Sequence, residues 1–292
     1  MNIQLLQKHL RKNNIHLKKS LSQNFLIDQN IQQKIIHAAA PNGYVILEIG
    51  PGAGMLTKAL VQSSKFVIAV EKDPHFSSFL TEKFSENLKI IEKDFLKISL
   101  EEELDRLSLQ KEKIKVIANI PYQITAPILL RLLTCSHRID SITLMVQKEV
   151  AQRIISKPGT KNYGRLSLFC QFYAYSNYLF SVSHNCFYPK PKIQSAVIQL
   201  IPRSELLLEK KLHEFFFSVV KEAFQYRRKT LIHIFKKTYA LQDLTYALSK
   251  IGKNFYTRGE ELSLNEFIQF ATFLSKGATT NSNYYSNNKT TE

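Results

Sequence analysis

Three glycines at alternate positions mark the first stretch of this chain that could hold a ligand. Gly50, Gly52 and Gly54 follow the apolar run 44–49, and an amphipathic segment begins at Met55. Glycines between a strand and a helix let the backbone turn tightly and approach a ligand closely. The spacing is GxGxG rather than GxGxxG, and no Lys-Ser or Lys-Thr pair follows, so neither a pyrophosphate site nor a P-loop is favoured. The pattern favours a nucleoside ligand, although the glycines alone are equally typical of a tight turn.

Carboxylates at the ends of the next two apolar runs support a nucleoside site. Glu71 ends the run 65–71, where a carboxylate can accept hydrogen bonds from both ribose hydroxyls. Asp94 ends the run 88–94, where it can accept a hydrogen bond from an adenine amino group while Phe95 packs on the ring. Either acid alone is typical of a solvated strand end, but the carboxyl ends of parallel strands meet at one edge of a sheet. We infer S-adenosylmethionine as the cofactor.

The tetrapeptide Asn119-Ile120-Pro121-Tyr122 indicates the reaction. It follows the apolar run IKVIA, so an amide, a rigid turn and an aromatic ring are expected at the same sheet edge. The exocyclic amine of a base is a poor nucleophile because its lone pair is delocalised into the ring. The Asn119 side-chain oxygen and a backbone carbonyl of the turn can hold its N–H bonds and align the lone pair with a methyl group. Tyr122 can stack on the base, and methylation of a base amine is favoured over a turn with a buried tyrosine.

The elements that must position these residues follow from the apolar pattern. Between residues 44 and 147, short apolar runs alternate with amphipathic stretches, which predicts a doubly wound α/β domain with a parallel sheet. The predicted strands are 44–50, 65–71, 88–94, 114–120 and 141–146.

Beyond residue 202 the pattern is helical only. The predicted helices cover 206–224, 230–237 and 241–251, and a last one is opened by a capping box of Ser263 and Glu266. We therefore expect a Rossmann-like S-adenosylmethionine-dependent methyltransferase domain at 1–203, a small helical RNA-binding domain at 204–275 and a disordered tail at 276–292.

The positive charge of the chain is concentrated in three blocks. The net charge is +16, and the segments 1–34, 148–192 and 221–237 contribute +5, +6 and +5, while the remaining segments balance. A polyanion-binding face would concentrate charge in this way, whereas a generally lysine-rich surface would scatter it. Nucleic acid is therefore the expected partner.

Other features of the composition exclude several classes of protein. No apolar run approaches the roughly 18 residues that would span a bilayer, and the N-terminal residues lack the apolar core of a secretion signal. Cys135, Cys170 and Cys186 are widely spaced, which favours reduced thiols, and the eight histidines have no metal-ligand spacing. We expect a cytoplasmic monomer without a metal site.

The motifs in this order resemble those of the ribosomal RNA adenine N6,N6-dimethyltransferases, most closely the group that acts on the small subunit. The resemblance spans about residues 17–275. It is carried by residues 18–26, 48–57, Glu71, 93–95, 119–122, 147–153, 162–166, 187–195 and 223–231. The resemblance implies dimethylation of two adjacent adenosines in the 3′-terminal hairpin loop of 16S rRNA within the small ribosomal subunit, with a role in ribosome biogenesis.

The resemblance also implies roles for individual residues. Those implied for the cofactor are Asn24, Leu26, Gly50, Gly52, Glu71, Asp94, Phe95 and Asn119. Those implied for the target base are Asn119 and Tyr122, with Phe187 stacking on the other face of the base. The basic residues expected to contact RNA are Lys148, Arg153, Arg165, Lys190, Lys192, Arg227, Arg228 and Lys229.

One residue and one short stretch depart from the family pattern. Two rival functions also stay open. Ser22 stands where the family usually has glycine, and the apolar stretch 232–235 stands where it tends to be basic and rich in amides. One rival is methylation of large-subunit rRNA by an enzyme of the same fold. The other is a non-catalytic RNA- or DNA-binding assembly or transcription factor, which would not need Gly50, Glu71, Asp94 and Asn119 together.

Overall fold

The computed structural model describes Gln4, Gln7 and residues 24–84, 86–110 and 112–278. The chain divides into two compact units, the first formed by residues 1–155 and 173–204 and the second by residues 156–172 and 205–292. Ser22, most of the basic block 1–34 and residues 279–292 of the expected tail lie outside the described residues.

Nine strands lie in the first unit, counted over the described residues. They are β1 (Phe25–Leu26), β2 (Val45–Ile49), β3 (Phe66–Glu71), β4 (Leu88–Glu92), β5 (Ile114–Asn119), β6 (Ile139–Gln147), β7 (Ala174–Val182), β8 (Phe187–Tyr188) and β9 (Ser195–Pro202). Seven of these form one sheet in the order β4-β3-β2-β5-β6-β9-β7. β2 to β6 pair in parallel, and β9 runs antiparallel to both β6 and β7.

The five predicted strands are confirmed, with ends that differ by at most two residues. Most residues of β2, β3, β5 and β6 are buried because helices of the doubly wound fold cover both sheet faces, whereas in β4, at the sheet edge, only Ile91 is buried. β7 and β9 were not predicted, so the expectation of a purely parallel sheet is incomplete. β7 lies at the edge of the sheet with most of its residues exposed or half-buried, and it therefore lacks a continuous apolar run. β9 contains the apolar run 196–198, a pattern that is typical of a buried strand and could have predicted it.

The order of the strands places a ligand site between β2 and β5. The chain runs from β2 outward to β3 and β4, then returns to β5 on the opposite side of β2. At such a reversal the loops after the two neighbouring strands diverge and leave a crevice at their carboxyl ends. The glycine loop follows β2, and Asn119 ends β5.

The described helices connect the strands and build the second unit. They are α1 (Gln29–Ala39), α2 (Thr57–Ser63), α3 (Pro74–Lys83), α4 (Leu100–Arg106), α5 (Thr125–Thr134), α6 (Lys148–Ile154), α7 (Arg165–Tyr173), α8 (His213–Ala223), α9 (Leu231–Phe235), α10 (Leu241–Lys250) and α11 (Leu264–Ala278). The predicted capping box opens α11, since Glu266 N donates to Ser263 Oγ at 3.3 Å and Ser263 N donates to Glu266 Oε2 at 2.7 Å.

The segment 156–172 belongs to the second unit, whereas the predicted boundary placed it in the first. Aromatic packing accounts for the difference. The Phe172 ring stacks on Phe216 of α8 with centroids 4.9 Å apart, and Tyr163 Oη donates to the Leu262 carbonyl at 2.8 Å. These contacts join positions far apart in sequence, so a pattern read along the chain does not contain them.

The apolar stretch 232–235 has a structural explanation. Ile232, Ile234 and Phe235 of α9 are buried, and the Phe235 ring packs against Phe270 with centroids 5.9 Å apart. This departure from the family pattern therefore contributes to the core of the helical unit.

Candidate active site

The residues predicted for the cofactor line one cavity of about 260 Å³ in the first unit. It lies at the carboxyl ends of β2, β3 and β5 and is bordered by the segment that contains β1. All eight predicted cofactor residues line it, namely Asn24, Leu26, Gly50, Gly52, Glu71, Asp94, Phe95 and Asn119, and Tyr122 does so as well. The predicted convergence of these residues is therefore present in the structure.

Two glycines of the loop are required by its geometry. Gly50 and Gly52 have φ angles of +67° and +53°, a region that residues with a Cβ rarely adopt. A Cβ on Gly52 would lie 2.8 Å from Cε1 of Phe25. The loop therefore turns under the Phe25 ring, and its backbone is left open to the cavity.

Glu71 connects the end of β3 to the glycine loop. Its Oε2 accepts a hydrogen bond from Gly52 N at 2.9 Å, and its Oε1 accepts one from Asp73 N at 2.8 Å. Burial raises the pKa of this carboxyl, and the backbone N–H donors oppose the rise. Each carboxylate oxygen has a second lone pair, so both can still accept from a ligand.

Asp94 is held beside a lysine at the cavity wall. Its Oδ2 accepts from Lys72 Nζ at 2.8 Å and its Oδ1 accepts from Leu96 N at 3.0 Å. The Lys72 hydrogen bond is the main reason why the pKa of Asp94 is lowered. Asp94 is therefore an ionised acceptor next to the buried ring of Phe95.

The amide of Asn119 is oriented by the segment before β1. Asn119 Nδ2 donates to the backbone carbonyl of Asn24 at 3.1 Å. Since this bond uses the amide nitrogen, it leaves Oδ1 as the acceptor that the side chain offers to a ligand. The antiparallel pairing of Phe25 with Tyr188 and of Leu26 with Phe187 holds the segment in place.

The ring of Tyr122 is fixed at its far end. Its hydroxyl lies 2.5 Å from the Ser195 hydroxyl, and burial raises the pKa of the Tyr122 phenol. Ser195 is fully buried, and its backbone pairs with Gln147 of β6 and with Val182 of β7. Ser195 was not predicted to contact a site residue, because the two side chains are 73 positions apart.

Phe187 does not take the predicted position. Its side chain is 3% exposed and packs in an apolar cluster with Leu26, Met145 and Val197. It is not among the residues that line the cavity. Successive residues of a strand point to opposite sides, and in this structure the Phe187 side chain points into the core. The structure therefore does not place the Phe187 ring at the cavity, and its stacking on the base stays a prediction that would require the ring to move.

Glu48 is a cavity residue that was not predicted as part of the site. It lies in β2, two residues before Gly50, and is 2% exposed. Its Oε2 has no hydrogen-bond partner among the described residues. Burial raises the pKa of Glu48 to about 8, the nearby Thr57 hydroxyl opposes this rise, and the Glu71 carboxylate adds to it. An acid inside an otherwise apolar strand, VILEI, was the signal that could have identified it.

Comparison with known proteins identifies the family. The model of the ribosomal RNA adenine dimethylase family matches residues 14–276. The chain belongs to this family. The ribosomal RNA small subunit methyltransferase A of Chlamydia caviae is 43% identical over 263 residues, which cover 89% of this chain and 93% of the relative. The protein of the same name from Clostridium botulinum is 40% identical over 253 residues, with coverage of 85% and 90%.

Solved structures agree with this membership. A dimethyladenosine transferase from Plasmodium falciparum matches with a TM-score of 0.72 and 26% identity over 87% of this chain and 98% of its own. The 23S rRNA methyltransferase ErmE matches with a TM-score of 0.67 and 26% identity over 86% of this chain and 99% of its own. The predicted Rossmann-like class I methyltransferase fold is confirmed.

The basic residues expected to contact RNA are divided between the two units. Lys148, Arg153, Lys190 and Lys192 lie in the first unit, and Arg165, Arg227, Arg228 and Lys229 lie in the second. All are exposed except Lys148, which is half-buried and donates to Gln194 Oε1 at 2.9 Å. Arg227 has a structural role as well, because it pairs with Glu260 at 2.5 Å and donates to the Thr160 carbonyl at 3.1 Å.

Neither a membrane-spanning helix nor a metal-binding cluster is found among the described residues. Within the described ranges, no helix combines the length and the apolar character that crossing a membrane requires. Over the same residues, no group of three or more His, Cys, Asp or Glu side chains is arranged to hold a metal ion.

Proposed function

We propose that this protein transfers methyl groups from S-adenosylmethionine to the N6 amines of two adjacent adenosines in the 3′-terminal hairpin loop of 16S rRNA, within the small ribosomal subunit. The observation that carries the proposal is the convergence of Glu71, Asp94 and Asn119 on one cavity beside the glycine loop. Such a reaction takes place in the cytoplasm and contributes to ribosome biogenesis.

The residues that line the cavity fit the cofactor. Glu71 can accept from both ribose hydroxyls, Asp94 can accept from the adenine amine, and Phe95 offers an apolar contact to the ring. Gly50 and Gly52 give the loop its left-handed backbone at the cavity wall, and a Cβ on Gly52 would displace the Phe25 ring that also lines the cavity. The unpartnered Oε2 of Glu48 suits a ligand that carries positive charge. When bound, S-adenosylmethionine supplies an electrophilic methyl group on its sulfonium sulfur.

Asn119 and Tyr122 prepare the target amine. The Asn119 amide is turned by the Asn24 carbonyl so that Oδ1 can accept one N–H of the amine. A carbonyl of the turn after β5 can accept the other, and the nitrogen lone pair then points at the methyl carbon. Tyr122, tethered by Ser195, offers its ring as a stacking surface for the base. Methyl transfer would break the C–S bond of the sulfonium as the C–N bond forms, and the cationic nitrogen would then lose a proton to solvent without a strong general base.

The choice of the small subunit over the large one rests on the relatives. Those at about 40% identity carry the name of a small-subunit methyltransferase, whereas the structural match to the 23S rRNA enzyme has 26% identity. A non-catalytic role is disfavoured, because a scaffold has no use for a buried Glu71 that joins a glycine loop to a cavity.

Two substitutions separate the cofactor site from the base site. Glu71→Ala should weaken S-adenosylmethionine binding by about 2 to 4 kcal/mol, or roughly 30-fold to nearly 1000-fold, because a charge-assisted bidentate contact is lost. Asn119→Ala should lower the turnover of rRNA by at least about 100-fold and leave cofactor affinity within a few-fold. Calorimetry measures the affinity, and incorporation of methyl label measures the turnover.

Glu92→Ala is the matched control for the first substitution. Glu92 pairs with Glu71 on the neighbouring strand but is exposed and does not line the cavity, so its removal should leave cofactor affinity unchanged. Normal cofactor binding by folded Glu71→Ala would remove Glu71 from the site, and normal turnover by Asn119→Ala would show that the base is held elsewhere.

A further inference from the structure

A short loop of the helical unit holds two aromatic rings in solvent. It covers residues 253–258, between α10 and α11. Phe255 is 46% exposed and Tyr256 is 77% exposed. The two rings contact each other edge to face, with centroids 5.9 Å apart. Burial of aromatic rings stabilises a fold, so two neighbouring rings left in water indicate a surface that something else covers.

Hydrogen bonds close this loop at its base. Asn254 N donates to Thr257 Oγ1 at 3.2 Å, and Thr257 N donates to the Asn254 carbonyl at 3.2 Å. Tyr256 N donates to Asn254 Oδ1 at 2.9 Å. Thr257 itself is 3% exposed, which anchors the base in the unit. A hydrogen-bonded turn thus holds the rings in place before a ligand binds. Binding therefore costs little conformational entropy of the loop.

A second exposed loop lies beside the first. Thr230 forms a β-bridge with Arg258, and Leu231 N donates to the Thr257 carbonyl at 2.9 Å. The residues just before this bridge, 225–229, are all exposed, and Tyr226 among them is 57% exposed. The loops are therefore held together by backbone contacts within the same unit.

The charge of the two loops has one sign. Residues 225–229 and 253–258 contain five cationic side chains and no acidic one. Arg227 pairs with Glu260 and Lys253 pairs with Glu266, whereas Arg228 and Lys229 are exposed. Flat rings interleaved with cations suit an RNA strand, because bases stack on the rings and the cations meet the phosphates. An apolar surface for a protein partner would not require this concentration of positive charge.

We propose that Phe255 and Tyr256 form a stacking platform for unpaired RNA bases, with Arg228 and Lys229 contacting the adjoining phosphates. The inference rests on the proposed function, which makes RNA the substrate of this chain. It adds a contact that reads single-stranded or looped RNA by its base faces, separately from the cavity where the target adenosine reacts.

A fluorescence experiment tests the platform directly. The chain contains no tryptophan, so Tyr256→Trp introduces a single reporter at the proposed contact. We expect its emission to fall by at least roughly a third when a single-stranded oligoadenylate of about 12 nucleotides binds, since stacking on a base quenches indole. An RNA duplex of the same length should quench it less. The control is Tyr175→Trp on β7, where the tyrosine is 58% exposed and the emission should not change.

Binding to small ribosomal subunits separates stacking from a general apolar contact. Tyr256→Leu should weaken binding by about 5- to 100-fold without changing its salt dependence, whereas Tyr256→Phe should stay within about twofold of the parent. Equal affinity of Tyr256→Leu and the parent would overturn the platform. Unchanged indole emission of the Tyr256→Trp variant, while the anisotropy of a labelled oligonucleotide shows that RNA is bound, would overturn it as well. In both cases the parent still binds RNA, so the proposed function survives; absence of RNA binding by the parent would contradict both.

Discussion

Glu48 shows how the environment of one residue sets its chemistry. Its pKa is raised by burial from 4.5 to about 8, so the folded protein binds this proton more tightly than the unfolded chain does. The resulting stabilisation is complete below pH 4.5, declines as the pH rises towards 8 and is lost above it. The buried carboxyl is thus mostly protonated near neutral pH.

The free energy of unfolding should report this titration. Between pH 6 and pH 9 the parent should lose on the order of 2 kcal/mol more than Glu48→Gln, because the amide keeps the shape and does not ionise. Urea unfolding at the two pH values measures the difference. Glu92→Gln, at an exposed carboxyl, should behave as the parent does, and an identical loss in the parent and Glu48→Gln would show that Glu48 does not titrate in this range.

The sequence predicts site residues that stand at the ends of strands. It does not predict residues whose role depends on which side chains surround them in the folded protein. Glu71 and Asn119 were predicted because each stands at the end of an apolar run. Glu48 was missed because only the folded cavity leaves its Oε2 buried and unpartnered. Phe187 lies in the core rather than at the cavity, which the sequence did not indicate because a family motif gives the residue type but not the side of the strand to which its ring points.

At the scale of elements, the loop between β2 and α2 depends on glycine for two separate reasons. At Gly52 the backbone has φ of +53°, and a Cβ would also meet the Phe25 ring at 2.8 Å. Gly159 has φ of +77° but nothing within 4 Å of where its Cβ would lie. Substitution of Gly159 therefore tests backbone strain alone, whereas substitution of Gly52 tests backbone strain together with a steric conflict.

Alanine at these two glycines should have different effects. The left-handed backbone should lower stability by about 1 to 2 kcal/mol in both variants, and the conflict with Phe25 should add to the loss in Gly52→Ala. Only Gly52→Ala should also weaken S-adenosylmethionine binding, by at least about 10-fold, since Phe25 must shift at the cavity wall. Thermal unfolding and calorimetry measure the two effects. Equal cofactor affinity in Gly52→Ala and Gly159→Ala would mean that the loop does not shape the cofactor site.

The sequence predicts the elements buried on two faces better than it predicts the others. β2, β3, β5 and β6 were predicted because both faces are covered and their residues are almost all apolar. β4 lies at one sheet edge and is mostly exposed or half-buried, but Leu88, Ile90 and Ile91 were enough to predict it. β7 was missed at the half-exposed sheet edge. The segment 156–172 was assigned to the wrong unit because the partners of Phe172 and Tyr163, which are Phe216 and Leu262, lie 44 and 99 positions further along the chain.

At the scale of the whole molecule, the charge blocks predict how strongly RNA affinity depends on salt. The double variant Arg228→Gln/Lys229→Gln should weaken binding to small subunits. It should also flatten the slope of log K against log salt by about 1.4 to 1.8, because two phosphate contacts are lost and fewer counterions are released on binding. Arg227 is left intact because it pairs with Glu260. The control, Lys89→Gln/Lys113→Gln, removes the same charge from exposed positions of the balanced segment 35–147. Equal slopes in both variants would remove this loop from the RNA-binding face.

The most direct test of the proposed reaction is to map the methyl groups that the protein transfers. Small and large ribosomal subunits that lack adenosine dimethylation are incubated separately with the protein and labelled S-adenosylmethionine, and the modified nucleotides are located in the rRNA. We expect label in N6,N6-dimethyladenosine at two adjacent positions of the 3′-terminal hairpin loop of 16S rRNA, and none with Asn119→Ala. Label in 23S rRNA alone, or no label from a folded protein that binds the cofactor, would contradict the account.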